Sequence, residues 1–142
     1  MVRVKQLLGR KGHEVWAVDA EEPVLGAIQM MADKGVGALP VTRGGELVGV
    51  ISERDYARKV ILLGRSSAET PVWQIMSSPV VTVTPEDDVR QCMQIMTDMR
   101  IRHLPVLHGG RMVGMISIGD LVRAVIEEQD QTIEHLERFI AG

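Results

Sequence analysis

Two short stretches have residue types and spacing suited to holding a polar, anionic ligand: Ser52-Glu53-Arg54-Asp55 and Ser117-Ile118-Gly119-Asp120. Each ends an apolar run and opens a predicted helix. Backbone N–H groups at a helix start favour an anion such as phosphate. A carboxylate three residues further on accepts both hydrogen bonds of a diol such as that of a ribose. Arg54 adds a cation to the first stretch, where the second has Gly119. The same Ser-x-x-Asp pattern is also a plain helix N-cap, worth about 1 kcal/mol. One serine can serve both purposes, so both readings stand.

The elements that position these stretches are repeated. Sliding the chain against itself by 65 positions lays Val15 on Val80, and the match then runs without a gap to Ile61 and Ile126. Roughly two positions in five are identical, more than chance gives two stretches of one chain. The strongest block is Leu-Pro-Val, Gly-Gly, Val-Gly-x-Ile-Ser and Asp, at Leu39 to Asp55 and again at Leu104 to Asp120. In each copy a β-branched run, Val15 to Val18 or Val80 to Val83, predicts a strand. Asp19-Ala-Glu-Glu22 and Thr84-Pro-Glu-Asp87 read as capping boxes, with Pro85 at a first helical position. Val24, Ala27, Ile28 and Met31, and Val89, Cys92, Met93 and Met96, recur at helical spacing. Two apolar runs flanking Gly44-Gly45 predict a tight hairpin, and a second helix follows from about Glu53 to Leu62.

The expected architecture is α/β (α+β): two β-α-β-β-α units. A unit of about 50 residues is too small to be stable alone, so the two are expected to pack sheet to sheet about a pseudo-two-fold axis with a cleft on either side. The expected divisions are 7–63 for the first unit, 64–78 for a linker, 79–128 for the second unit and 129–142 for a helical tail. Within the linker, Val72, Trp73, Ile75 and Met76 form an apolar knot expected to pack on a repeat. Leu121 to Ile140 keeps a helical pattern, as one long helix or two short ones.

The order strand, helix, Leu-Pro-Val, Gly-Gly, hydrophobic-Gly-hydrophobic-Ile-Ser-x-x-Asp resembles the cystathionine-β-synthase (CBS) domain. Two in tandem resemble the CBS pair, or Bateman module, over about residues 7 to 128. The string SERDYARKVILLGRSS is similar to stand-alone bacterial CBS pairs likened to the regulatory part of IMP dehydrogenase. The resemblance implies clefts that take AMP, ATP, ADP, NAD or S-adenosylmethionine as regulatory ligands, with no cofactor required. Carried over residue by residue, it implies ribose contacts from Asp55 and Asp120. It implies phosphate contacts from Ser52, Arg54, Ser117 and the Gly119 position, and from Arg102 and His103 just before Leu104-Pro105-Val106. Copy one has Gly37 and Ala38 where copy two has Arg102 and His103, so the clefts are expected to differ, with all three basic residues converging on the Asp55 cleft. A solvated arginine and a packed histidine remain the plain alternatives for Arg102 and His103.

For adenine, the resemblance implies Val18, Asp19, Val24, Val36, Gly37 and Ala38 in the cleft with Asp120. In the cleft with Asp55 it implies Thr82, Thr84, Val89 and Ile101. Most of these are equally ordinary core positions. Trp16 reads as packing more readily than as a base-stacking platform. His13, His108 and His135 lack metal-ligand spacing. Cys92 reads as a small buried residue, and the methionines (Met30, Met31, Met93, Met96, Met99) as helix packing. In the family such helices also pair two modules, which implies a homodimer.

Composition narrows the function classes. The chain has 142 residues, 45% hydrophobic, with a net charge of −3 and few aromatic residues. Nucleic-acid binding would need a basic stripe that is not there. No run approaches the roughly 18 apolar residues of a membrane helix, and the charged N-terminus does not suit a secretory signal. A single cysteine fits a reducing compartment, so a cytoplasmic location is expected. There is no nucleophile elbow, phosphate loop or His-Glu-x-x-His motif. The expectation is a non-catalytic, nucleotide-binding sensor acting on an unknown protein target. A scaffold without nucleotide binding is the alternative, and a nucleotide-processing enzyme a more distant one.

Overall fold

A computed structural model describes residues 2–141. The described chain divides into two compact units, one formed by residues 15–81 and the other by residues 2–14 together with 82–141. In the first, β1 (Val18–Asp19) runs parallel to β2 (Ala38–Arg43), which pairs antiparallel with β3 (Glu46–Ser52). Helix α2 (Val24–Lys34) links β1 to β2, and α3 (Glu53–Tyr56) follows β3 and continues as a π-helical turn over Ala57–Ile61. The second unit carries α1 (Val4–Lys11), α4 (Val89–Met99), the antiparallel pair β4 (His103–His108) and β5 (Arg111–Ser117), and α5 (Ile118–Ala141).

The repeat is visible in both cores. Val18, Val24, Ala27, Met31, Leu39, Val41 and Ile51 are buried in the first unit. Val83, Val89, Cys92, Met96, Leu104, Val106 and Ile116 are buried at the same offsets in the second. Both hairpins turn on Gly-Gly with positive φ at each glycine, 59° and 82° at Gly44 and Gly45. A two-residue turn matched to the strand twist needs positive φ at both central positions.

Three expectations need correction. The Val15–Val18 run supplies only Val18 and Asp19 to the sheet, and Val80–Val83 supplies a single parallel bridge, Val83 to Val106. The chain crosses the hairpin briefly and then turns. The predicted capping boxes are those turns rather than helix caps. The Asp19 carboxylate accepts the Glu21 N–H at 2.9 Å, and the Asp87 carboxylate accepts the Thr84 N–H at 2.7 Å. The helices begin later, at Val24 and Val89, with Pro23 and Asp88 at the N-cap, so Pro85 is not a first helical residue. Bridges Pro23–Pro71 and Arg3–Asp88 hold those N-cap residues extended. Third, the region after β3 is not one regular α-helix from 53 to 62, because it passes into the π turn. The C-terminal pattern is one continuous helix of 24 residues.

Each unit is closed by a short segment, and the two segments are equivalent. Val72 and Trp73 donate N–H bonds to the carbonyls of Glu22 and Ala20 in the first unit. Val4 and Lys5 donate to Asp87 and Pro85 in the second. The acceptors are related by the 65-residue repeat, the donors by 68. Val4-Lys5-Gln6-Leu7-Leu8 thus stands for Val72-Trp73-Gln74-Ile75-Met76. Met76 lies over Gly49 of β3 and Leu8 over Gly114 of β5. The segment preceding copy one therefore closes copy two, and the linker preceding copy two closes copy one.

Candidate functional site: two serine–aspartate corners

In both units the strand after the Gly-Gly turn ends at a serine, and the helix start is tied down by the preceding loop. The Glu53 N–H reaches the Gly37 carbonyl at 3.0 Å, and the Ile118 N–H reaches the Arg102 carbonyl at 2.9 Å. Ala38 stands opposite Ser52 in the β2–β3 register, and His103 stands opposite Ser117 in β4–β5. The loop before Leu-Pro-Val and the Ser-x-x-Asp stretch are thus neighbours within each copy. Arg102 and His103 flank the Ser117 corner of their own copy, while Gly37 and Ala38 flank the Ser52 corner.

The capping reading of Ser-x-x-Asp is realised twice. At the first corner the Asp55 N–H donates to Ser52 Oγ at 3.2 Å, and the Ser52 N–H donates to Asp55 Oδ2 at 2.9 Å. The Ser52 hydroxyl also donates to Oδ2 at 3.0 Å. Lys59 Nζ, one turn further on, lies 3.3 Å from Asp55 Oδ1. At the second corner the Asp120 N–H donates to Ser117 Oγ at 3.2 Å, and the Ser117 N–H donates to Asp120 Oδ2 at 2.8 Å. Here Lys11 Nζ also donates to Oδ2 at 2.5 Å, and Arg123 donates to Oδ1 at 2.8 Å. Lys11 is itself fixed by the Met115 carbonyl at 2.6 Å. Burial, to 9% exposure, would raise the Asp120 carboxyl; the hydrogen bonds from Lys11 and Ser117 outweigh it and hold the group below its usual range.

The corners therefore differ most in how occupied the carboxylates are. Asp55 is capped through Oδ2 and meets one lysine at Oδ1. Asp120 has both oxygens engaged by cations. A diol approaching Asp120 has to displace Lys11 or Arg123, whereas at Asp55 it competes with Lys59 alone. Among the described residues no ion pair engages the half-buried Arg54 or the exposed Arg102, so both guanidiniums are available to an anion. Gly119 leaves ordinary van der Waals room beside Ser117 Oγ and Arg123.

The other candidate residues spread over the units. Val18 and Val24 are core residues of the first unit, and Val89 is buried in the second. Ala38 is buried, while Asp19 and Thr84 are exposed and Ile101 is half-buried. Val36 and Gly37 line a cavity of about 330 Å³ with Ile28, Met31 and Glu53. Thr82 lines one of about 420 Å³ with Asp87, Gln91 and Cys92. Trp16 packs on the first core, with the Lys34 ammonium 5.2 Å from its ring centre. Cys92 is buried, and desolvation pushes its thiol up to about 11. No group of His, Cys, Asp and Glu among the described residues is arranged to hold a metal ion. No described helix is long and apolar enough to cross a membrane.

Sequence reasoning missed Lys11, Lys59 and Arg123. The last two stand four and three residues after their aspartates, where helix geometry makes ion pairs, so spacing alone carries that signal. Lys11 lies too far along the chain for any local pattern to connect it with Asp120.

Comparison with known proteins agrees with this architecture. The CBS-domain family model matches residues 5–61 and 72–127, and the chain belongs to the CBS-domain family as a tandem pair. It is 46% identical over 136 residues to the mitochondrial CBS domain-containing protein CBSX3 of Arabidopsis thaliana, covering 92% of this chain and 66% of that protein. Among solved structures, a protein with CBS domains from Burkholderia ambifaria superposes with a TM-score of 0.86 at 46% identity, covering 90% of this chain and 96% of that one. The CBS domain pair of protein MJ0100, solved with 5′-methylthioadenosine and S-adenosylmethionine, shares the fold at 22% identity and a TM-score of 0.79, covering 90% and 98% of the two chains. CBS pairs are regulatory, ligand-binding units without catalytic activity of their own.

Proposed function

We propose that this chain is a sensor that binds adenine nucleotides (AMP, ATP, ADP or NAD) at its two Ser-x-x-Asp corners. The observation that carries the reading is the repeated corner itself. It provides a carboxylate held by serine hydrogen bonds, three residues after a strand end, with Arg54 beside the first engaged in no ion pair among the described residues. Asp55 and Asp120 hold the ribose diol. Ser52, Arg54 and Ser117 meet phosphate, with Arg102, His103 and the backbone at Gly119 contributing. The adenosyl ligands of the MJ0100 pair support the same ligand class. The likeness of the Ser52–Ser67 stretch to stand-alone bacterial CBS pairs supports a regulatory role toward a separate protein. A ligand acts as a signal only if it binds one arrangement of the protein better than another. Pairing of two modules through α2 and α4, whose Met30 and Met93 are half-buried and whose Met99 is exposed, would carry such a change to a second copy.

A second reading has its own support. Lys11 and Arg123 already satisfy Asp120, as expected of a structural ion cluster rather than a ribose site. One experiment separates the two. Thermal unfolding and turnover are measured with AMP, ATP, NAD and S-adenosylmethionine for wild type, Asp55→Ala and Asp120→Ala. A ligand at 100 times its Kd adds about 2.7 kcal/mol, a rise of roughly 5–10 °C. A rise abolished by Asp55→Ala but kept in Asp120→Ala leaves one nucleotide site and one structural cluster. No rise with any ligand removes the sensor reading, and turnover by pure protein removes the non-catalytic one.

A further inference from the structure

Helix α5 outruns the unit it closes. Its first turns pack on the unit and bury Leu121, but every residue from Gln129 to Ala141 is exposed. An isolated helix of that length is marginal in water. The projecting part nevertheless places all its large apolar residues on one stripe. Ile133 is 54% exposed, Phe139 81% and Ile140 83%. Val122, Ile126, Gln129, Ile133, Leu136 and Ile140 alternate at steps of four and three, the seam that selects another helix as its partner. The flanking positions on one side are Arg123, Asp130 and Glu137, and on the other Val125, Thr132 and Phe139.

We propose that this face is an interface with a second copy of the chain, in which two α5 helices pair antiparallel about a two-fold axis. Such an axis makes each contact occur twice. Antiparallel pairing places Val122 against Ile140, Ile126 against Leu136 and Gln129 against Ile133 of the other copy. It also brings Val125 to Phe139 and Arg123 to Glu137, two apolar and two oppositely charged contacts per pair, set against one like-charge contact where Asp130 meets Asp130 of the other copy at the axis. Parallel pairing would set Val125 beside Asp130 and Thr132 beside Glu137, matching neither. A lipid surface is the poorer fit. The polar face carries Glu127, Glu128, Asp130, Glu134 and Glu137 against Arg123 and Arg138, whereas interfacial helices favour lysine and arginine there. The proposal does not depend on nucleotide binding.

The test is the solution mass of the full chain, by sedimentation equilibrium at micromolar concentration. Wild type is expected as an assembly whose mass halves in the double variant Ile133→Asp, Leu136→Asp. Both residues are exposed in the single chain, so the variant should keep the wild-type unfolding temperature per subunit at low concentration. Orientation is read by mixing Ile126→Cys chains with Leu136→Cys chains under mild oxidation. Antiparallel pairing gives the 126–136 disulfide, and parallel pairing gives 126–126 and 136–136 instead. A monomeric wild type, a mass unmoved by the double variant, the like-with-like disulfides, or a monomer that pellets with anionic vesicles would each overturn the proposal.

Discussion

The two copies keep the same cores and hairpins but differ at their aspartates. The Asp55 corner is lightly held, with one lysine from its own helix and, alongside, Arg54, which makes no ion pair among the described residues. The Asp120 corner is locked, with both carboxylate oxygens taken and Lys11 brought in by the closing helix α1. Duplication preserved the scaffold, and the difference entered through side chains: Arg54 and Lys59 stand where the second copy has Gly119 and Ala124, and Lys11 lies outside the repeat. Two related corners can therefore be unequal in ligand affinity while sharing the strand-to-helix turn and its serine cap.

The largest expected effect tests the exchange of closing segments. Leu8 is buried against the second unit and Ile75 in the core of the first. Leu8→Ala is expected to cost about 2–5 kcal/mol. In hydrogen exchange, amides of 82–127 should lose protection while those of 15–81 keep theirs. Ile75→Ala should do the reverse. Uniform loss in both variants would break the assignment of each segment to its unit.

A smaller contrast separates the two glycines beneath those segments. A Cβ at Gly49 would collide with the Met76 sulfur and lie 3.1 Å from the Ser77 carbonyl. That carbonyl is tied to the Val50 N–H and cannot easily retreat. A Cβ at Gly114 meets only the ends of the Leu8 side chain, at 2.6 and 3.1 Å. Gly49→Ala is expected to cost about 1–3 kcal/mol by overpacking, and Gly114→Ala less, measured by urea unfolding. Equal costs would mean that the closing segments are not held in the same way.

Arg54→Ala sharpens the charge difference. Binding of phosphorylated ligands should weaken about tenfold, or ~1.4 kcal/mol, while adenosine is nearly unaffected. Equal weakening of both would assign Arg54 a role in shape rather than charge.

The smallest effect concerns pH. The Asp120 carboxyl is held below its usual value, so it binds a proton less readily folded than unfolded. Its contribution is present above the ordinary carboxylate pKa of about 3.9 and is lost as pH falls through the folded value. Lys11→Met should therefore lower stability at neutral pH, and the gap from wild type should close in acid. A gap that persists in acid would assign Lys11 to packing alone.

The repeat made most of the fold legible, because identical spacing in two copies marks strands, turns and helix faces more firmly than one copy does. The helix starts were misread because a turn whose carboxylate accepts a nearby N–H has the same residue pattern as a capping box. At Ser52 and Ser117 the same pattern does cap. The Val72–Met76 knot was legible as packing on a repeat, but its equivalence to Val4–Leu8 was not, because the two match at an offset of 68, outside the 65-residue register. The serines and aspartates of both corners were readable from that register. Lys11 was not, because only the packing of α1 on the second unit brings it to Asp120.

The most direct test of the central claim is calorimetric titration of the full chain with AMP, ATP and NAD, repeated with Asp55→Ala and Asp120→Ala. The account predicts binding by wild type to two unequal sites, the tighter one lost in Asp55→Ala and the weaker one in Asp120→Ala. Binding that neither substitution alters, or no binding of any of the three, would contradict it.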